Sequence, residues 1–299
     1  MMKILITGGA GFIGSHIAKK LIEEENDVLI VDNLSNGSVE NIPEGAEFMK
    51  INVGNLTADE IKGYDAVLHY AALKDVPESL KYPKKYFEQN MMATHNLLQI
   101  SKEAKIPRFI FASTSAVYGH AHRFPTHEKE FMRCMSPYAV SKLASEQMCY
   151  CVKKEVEMQT ICLRLFNAYG PKMTGNAISI FADNILNDKK STIYGGHQRR
   201  DFIHVDDIVN ANIAALNSTA HGVFNVGSGL SISIKELYIL LCDLTERYEQ
   251  KVNVDYKEPR LEPFETRASI TRAYRAWKWK PLMKLKTGLK QYIDSVVKE

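Results

Sequence analysis

The sequence predicts an α/β fold, a doubly wound parallel sheet with a smaller C-terminal substrate lobe. Three observations carry that expectation. Short, almost wholly apolar runs alternate with helix-length segments through the first half of the 299 residues, as strands buried on both faces and their crossovers require. The first run, Lys3–Thr7, is followed by glycines at 8, 11 and 14 and then by a helical pattern. The second, Asp27–Asp32, ends in an acid 18 residues after Gly14.

Taken in order, strands are expected at Lys3–Thr7, Asp27–Asp32, 46–51, 65–70, Arg108–Thr114 and Gln159–Leu165, with helices near 11–24, 57–62, 79–105 and 137–156. This is a repeated βαβ pattern with right-handed crossovers. Past Pro171 the pattern changes. A helix opens at Gly175-Asn176 and runs to about 188, a turn-rich stretch spans 194–200, and a strand at 201–205 leads into a helix at 206–216. Gly222–Val226 reads as a further strand, and helices follow near 233–249 and Thr271–Trp277. The expected division is a sheet domain over 1–167 with about 203–222, and a second lobe over 168–202 and 223–299.

Each glycine of the first turn has a physical reason. Gly8 lets the chain turn off the strand, Gly11 lets backbone approach a pyrophosphate, and Gly14 lets the helix pack against the sheet. The first N–H groups of that helix lack intrahelical partners and carry its positive dipole end, which suits a diphosphate. Asp32 can accept bonds from both hydroxyls of a ribose and would repel a 2′-phosphate. No Arg between Asp32 and Gly45 could hold such a phosphate, so the expected cofactor is NAD in a Rossmann arrangement. Ligands of such sheets bind beyond the carboxyl ends of the strands. There stand Asp32-Asn33, Asn52-Val53 (able to bond an adenine edge), Tyr70-Ala71-Ala72-Leu73-Lys74, Ser113–Gly119 and Phe166–Pro171.

Composition excludes several classes. An apolar share of 45% and a charged share of 24% are ordinary for a globular protein. A net charge of +3, without a run of five like charges, gives no argument for nucleic acid. No 18-residue apolar stretch could span a membrane. A strand at Lys3 leaves no visible leader, and five irregularly spaced cysteines fit a reduced, cytoplasmic protein. Cys149 and Cys151, two apart on a helix, point in different directions and read as packing. His120, His122, His197 and His221 lack partners at ligand spacing, so no metal is expected.

The sharpest chemistry is Tyr138-Ala139-Val140-Ser141-Lys142. Tyr and Lys four apart lie on one helix face. A free phenol, with a pKa of about 10, is a poor base at neutral pH. A nearby ammonium favours the phenolate, which could then take a proton from a substrate hydroxyl as hydride leaves the same carbon. Thr114 ends a neighbouring strand and could bond the same oxygen. Alone, Tyr-x-x-x-Lys would describe a solvated helix face; beside a dinucleotide turn and a strand-end Thr it describes a site.

With these residues in place the chain resembles the extended short-chain dehydrogenase/reductases of the NAD-dependent epimerase/dehydratase family, most of all in the pattern of the UDP-glucose 4-epimerases. The resemblance covers nearly the whole chain. Its anchors are Thr7–Gly14, Asp32-Asn33-Leu34, Ala71–Lys74, Asn90, Ser113–Gly119, Tyr138–Lys142, Arg164–Pro171 and Arg200-Asp201-Phe202-Ile203-His204-Val205. It implies that Tyr138 is the base, that Lys142 holds the nicotinamide ribose and depresses the Tyr138 pKa, and that Thr114 contacts the sugar 4-hydroxyl. Phe12, Ile13, Asp32, Asn33, Asn52, Val53, Lys74 and Asn90 would contact NAD. Gly8, Gly11, Gly14, Tyr70, Ala71, Ala72, Ser113 and Phe166 would complete that pocket. Asn167, Arg200 and Arg260 would hold the nucleotide diphosphate, Tyr194 would pack on its base, and Lys74 would also face substrate. The helices over 79–105 and 137–156, with Met91, Leu98, Leu143 and Met148, resemble the pair that forms a homodimer interface, although these residues fit ordinary core equally well.

The resemblance also separates reactions. A 4,6-dehydratase carries an Asp-Glu pair after the strand-end Thr, and a UDP-glucuronate decarboxylase carries Glu where Ala116 stands. Here Ser115-Ala116 has no acid. What remains is 4-epimerisation of a nucleotide-diphosphate hexose of the UDP-glucose/UDP-galactose type through a 4-keto sugar. A UDP-uronic acid or UDP-N-acetylhexosamine is the alternative substrate, and a non-catalytic NAD-binding regulator is the alternative class. The family's usual Arg-x-Gly-Asp is here Arg260-Leu261-Glu262-Pro263, and seven residues after Arg260, beside the sugar, stands Arg267. Arg267 would read a uronate carboxylate, or it is a solvated arginine in a shifted loop.

Asp32 generates the first prediction. NAD should bind at least about 100-fold more tightly than NADP, since like charges brought together cost several kcal/mol. Titrating the protein with each cofactor measures this, and equal affinities would overturn it.

Overall fold

The computed structural model describes residues 1–297. At its centre lie seven parallel strands: β1 (Lys3–Thr7), β2 (Asp27–Asp32), β3 (Glu47–Lys50), β4 (Ala66–His69), β5 (Arg108–Thr114), β6 (Gln159–Leu165) and β7 (Gly222–Val226). Their order is β7-β6-β5-β4-β1-β2-β3, every pairing parallel. The order reverses between β1 and β4, the switch point at which such sheets bind ligands. Successive strand residues face opposite sides, and β1 shows it. Ile4 and Ile6 join one cluster with Ile17, Leu21 and Ile208, from α1 (Phe12–Glu23) and a later helix. Leu5 joins another with Leu97 and Val152.

That second face is covered by α2 (Ala93–Glu103) and α3 (Pro137–Glu155). The remaining helices are α4 (Ala177–Leu186), α5 (Val205–Leu216), α6 (Ile234–Leu244), α7 (Thr271–Trp277) and α8 (Leu285–Val297). Ile178 and Phe181 of α4, Leu237 and Leu241 of α6 and Leu289 of α8 form the separate core of the smaller lobe. Among the described residues no helix is long and apolar enough to cross a membrane.

The structure corrects several expectations. The segment 57–62 forms only a 3₁₀ turn, Asp59–Ile61. The single helix expected over 79–105 is broken. It begins at Val76 on an Asp75 cap, Oδ1 taking the Glu78 N–H at 2.6 Å, and stops at Tyr82, because the residue before a proline avoids helical geometry. It resumes at Pro83–Tyr86 and passes through a π-helical turn, Phe87–Met92, before α2. Leu98 is fully buried in the sheet core, not on an outer face. The strand near 201–205 is Phe202–His204, paired with an unforeseen strand Asn167–Tyr169. β7 is an edge of the central sheet, so the boundary drawn at 222 moves to Val226. α7 also packs there, Trp277 stacking 4.3 Å from Phe224. The helix begun at Ser233 ends at Leu244, short of 249, and α8 was not expected.

One buried group ties α3 to the sheet. Glu146 accepts Nε of Arg164 at 2.9 Å and Nη2 at 2.7 Å, and takes the Ser113 hydroxyl at 2.5 Å. The two charged side chains are 0% and 2% exposed. Arg164 Nη1 also donates to the Tyr118 hydroxyl at 3.0 Å and to the Glu128 carbonyl at 3.1 Å. Removing one partner of a buried pair strands the other charge. Glu146→Ala should therefore cost about 3–5 kcal/mol of stability, read as a lowered urea midpoint, while the double replacement Glu146→Leu with Arg164→Met recovers most of it. A loss under about 1 kcal/mol for the single variant would refute this role.

Candidate active site

The glycine turn sits at the switch point. Gly8 has a φ of +72°, and a Cβ there would stand 2.5 Å from the Ala71 amide nitrogen, so the turn lies flat against the backbone leaving β4. A Cβ on Gly14 would stand 2.3 Å from the Gly8 carbonyl oxygen. Gly14 thus lets α1 close onto the turn itself and not, as expected, onto the sheet. Gly11 caps α1 with no side chain accepting its first N–H groups, which leaves them to an anion. Asp32, 8% exposed, accepts the Ala10 N–H at 3.1 Å and the Leu34 N–H at 2.8 Å. Those donors fix a carboxylate at the end of β2. The turn, the uncapped helix start and the acid fit NAD.

Other expected cofactor contacts serve the protein. The Tyr70 hydroxyl donates to Asn212 at 2.7 Å, and Ser113 is held by Glu146. Asn90, buried in the π turn, clamps Leu73 from both sides: its Oδ1 accepts the Leu73 N–H at 2.8 Å and its Nδ2 donates to the Leu73 carbonyl at 3.0 Å. These bonds fix the three side chains along the wall where the cofactor contacts are expected. Lys74 stands exposed just beyond the clamp. The Asn52 amide oxygen, expected at adenine, caps the Gly54 N–H at 3.0 Å, and Asn33 Oδ1 likewise accepts the Ser35 N–H at 2.9 Å. Val53 and Phe166 are buried, while Phe12, Ile13, Ala71 and Ala72 are half-buried.

Tyr138, Lys142 and Glu146 recur every fourth residue on α3, and each meets the end of β5. The helix is started there by Pro137 and by Ser136, whose Oγ accepts the Ala139 N–H at 3.2 Å. The Tyr138 phenol lies beside the Thr114 hydroxyl, close enough for that hydroxyl to act on its pKa. Thr114 Oγ1 accepts the Ala116 N–H at 3.2 Å, leaving its own proton for the phenol. Burial raises the Tyr138 pKa, and the Thr114 hydroxyl opposes it. Tyr86 packs edge-on against the Tyr138 ring at 6.5 Å.

Lys142 Nζ donates to the Ala112 carbonyl at 2.8 Å and lies 4.8 Å from the Phe111 ring centre, and burial brings its pKa down to about 7. Burial thus weakens the charge that would favour the phenolate.

On the substrate side, Asn167 Nδ2 donates to the Asp201 carbonyl at 2.9 Å. Arg200 Nη2 donates to Glu262 at 2.7 Å. The Arg260 guanidinium lies 3.7 Å over the Tyr194 ring, and it lowers the Tyr194 pKa. Arg267 Nε lies 3.2 Å from Glu265 Oε1. Sequence reading missed Asp201, whose buried carboxylate accepts the Ser228 N–H and hydroxyl, both at 2.7 Å, the Gly229 N–H at 3.0 Å and the Ala268 N–H at 2.9 Å. It also missed His69, which bridges Thr7 Oγ1 at 2.6 Å and Thr94 Oγ1 at 2.9 Å beneath the turn, kept neutral by burial at a pKa of about 3. The signal for Asp201 was its place in the Arg-Asp-Phe-Ile-His-Val run; His69 had none.

Residues 4–227 match the model of the NAD dependent epimerase/dehydratase family. The chain is 36% identical to a putative UDP-glucose 4-epimerase of Methanocaldococcus jannaschii, over 97% of each chain. Its fold superposes on the UDP-glucose 4-epimerase of Thermotoga maritima, solved with UDP-glucose, with a TM-score of 0.94 at 32% identity over 99% of each chain. It superposes on the UDP-glucuronic acid 4-epimerase of Bacillus cereus, solved with UDP-glucuronic acid and NAD, with a TM-score of 0.92 at 29% identity over 99% of each. With the glycine turn, Asp32 and the Thr114–Tyr138–Lys142 group all at one edge of the sheet, this chain belongs to the NAD dependent epimerase/dehydratase family.

Proposed function

We propose that this chain interconverts the C4 epimers of a nucleotide-diphosphate hexose of the UDP-glucose/UDP-galactose type. The observation that carries this reading is the placement of Thr114, Tyr138 and Lys142 together at the end of β5, with Ser115-Ala116 following and no acid there to eliminate water or assist decarboxylation. Relatives named as UDP-glucose 4-epimerases support it. NAD, held by the glycine turn and Asp32, supplies a reversible hydride acceptor. The residues of the chain do the proton work. Tyr138 takes the proton of the sugar 4-hydroxyl and later returns it. Thr114, polarised by the Ala116 N–H, donates to whichever oxygen carries the negative charge. A regulator that binds NAD without turning it over would have no use for all three groups gathered at the end of one strand.

A neutral hexose is favoured by Glu265, which faces Arg267 at 3.2 Å and would also face a uronate carboxylate. A uronic acid is the second reading, because Arg267 Nε is buried without a hydrogen-bond partner. Incubation with UDP-glucose, UDP-N-acetylglucosamine and UDP-glucuronate, followed by NMR of the products, separates them. UDP-galactose should form fastest, and turnover of UDP-glucuronate alone would replace this reading by the second. Tyr138→Phe should lower turnover by about 10²–10⁴-fold; a variant keeping most of its activity would exclude the mechanism.

The pH profile is a separate check. Tyr138 works deprotonated, so activity rises with pH through its pKa. Thr114→Ala removes the hydroxyl that lowers that pKa, so the rising limb of kcat/KM should move to higher pH. A limb that stays put or moves to lower pH would show that Thr114 does not act on the phenol.

A further inference from the structure

Arg200 and Tyr194, read above as holding the diphosphate and the base, are both engaged by one short stretch of this chain. Glu262 Oε2 accepts Arg200 Nη2 at 2.7 Å, and its Oε1 accepts Gln198 Nε2 at 3.0 Å. The Arg200 side chain is 10% exposed and that of Glu262 34%. Two residues earlier, Arg260 covers the face of Tyr194. The stretch carries Pro259 and Pro263, and Leu261 between them is 91% exposed. Backbone bonds hold its flanks, Gly195 N–H to the Lys257 carbonyl at 2.9 Å and Arg199 N–H to the Phe264 carbonyl at 2.7 Å. Glu262 stands where the family pattern has Gly, so the carboxylate on Arg200 belongs to this chain and not to the pattern.

We infer that Glu262 determines the anion requirement of the nucleotide subsite by occupying Arg200 until a ligand bringing its own anionic oxygens takes its place. The inference rests on Arg200 as the diphosphate contact. Of the two terminal nitrogens of Arg200, Nη1 donates to the Arg199 carbonyl at 2.8 Å and Nη2 to Glu262, so an oxygen that takes Nη2 competes with the carboxylate. A diphosphate can replace the carboxylate on that nitrogen, whereas a nucleoside without phosphate has nothing to exchange for it. A ligand that takes Nη2 of Arg200 must first break the Glu262 pair, and a ligand that does not use Arg200 is unaffected by it.

Calorimetric titration of the full chain loaded with NAD tests this, with UDP and uridine as probes. Glu262→Gln should tighten UDP about 3- to 5-fold, the upper part of the range of a partly exposed ion pair, and leave uridine unchanged. Glu258→Gln, a carboxylate of the same stretch without a contact to Arg200, should change UDP affinity by less than about 2-fold. Arg200→Gln should weaken UDP, and Glu262→Gln added to it should then bring no gain. Unchanged or weaker UDP binding in Glu262→Gln, an equal gain for uridine, or a gain that persists without Arg200 would each overturn the inference. If Arg200→Gln leaves UDP affinity intact, the assignment of Arg200 falls as well; if UDP weakens there and Glu262→Gln still brings nothing, the exchange alone falls.

Discussion

The Glu146–Arg164 pair is the constraint on which the cleft depends. A charge placed at the interface of sheet and helix is tolerated only when every oxygen is satisfied, and Glu146 is satisfied by Arg164 and Ser113 together. The pair fixes the roll of α3. With Glu146 held, Lys142 one turn earlier meets the Ala112 carbonyl, and Tyr138 one turn before that meets Thr114. The reacting phenol is therefore positioned from eight residues away, by a group that never approaches a ligand. Arg164 extends the tie to Tyr118 and Glu128, so the segment between β5 and α3 is held by the same charge.

The electrostatics inside the cleft run against the reaction when only the protein's own groups are counted. Burial drives the phenol up and the ammonium down, and both changes disfavour the phenolate–ammonium pair. Within the chain, the Thr114 hydroxyl is the group that lowers the phenol. A strong base at Tyr138 then requires a positive charge from elsewhere, and oxidised nicotinamide carries one. A site built this way is a weak base until its dinucleotide is bound, which accords with a reaction that uses the cofactor and regenerates it in place.

Strands and turn were legible because their causes are local. Each of β1, β2, β5, β6 and β7 is a short apolar run, and all five run over the residues expected from the sequence. The region 76–103 was misread because helical periodicity does not reveal a break at Tyr82-Pro83, nor the extra residue of a π turn. In that turn Asn90 clamps the Leu73 backbone. Tyr70 and Ser113 were assigned to the cofactor on residue type and place along the strand. Their partners, Asn212 and Glu146, are 142 and 33 residues away, and no sequence pattern connects them. Tyr138 and Lys142 were legible because a helix brings residues four apart together.

The two lobes repeat one design at different depths. On the cofactor side a buried carboxylate, Glu146, positions the reacting groups. On the substrate side Asp201 does the same, joining the end of the Arg199–Arg200 strand to the loop at Ser228-Gly229 and to Ala268 through four bonds. Asn167, Arg200 and Arg267 all lie within one residue of that carboxylate's partners or its backbone. The deep carboxylates have only donors around them and are committed to the fold. The shallow ones, Glu262 and Glu265, face the cations Arg200 and Arg267 at the mouth of the cleft, where solvent weakens each pair and a ligand can compete for it. Depth thus separates the acids committed to the fold from the acids whose pairing a ligand can contest.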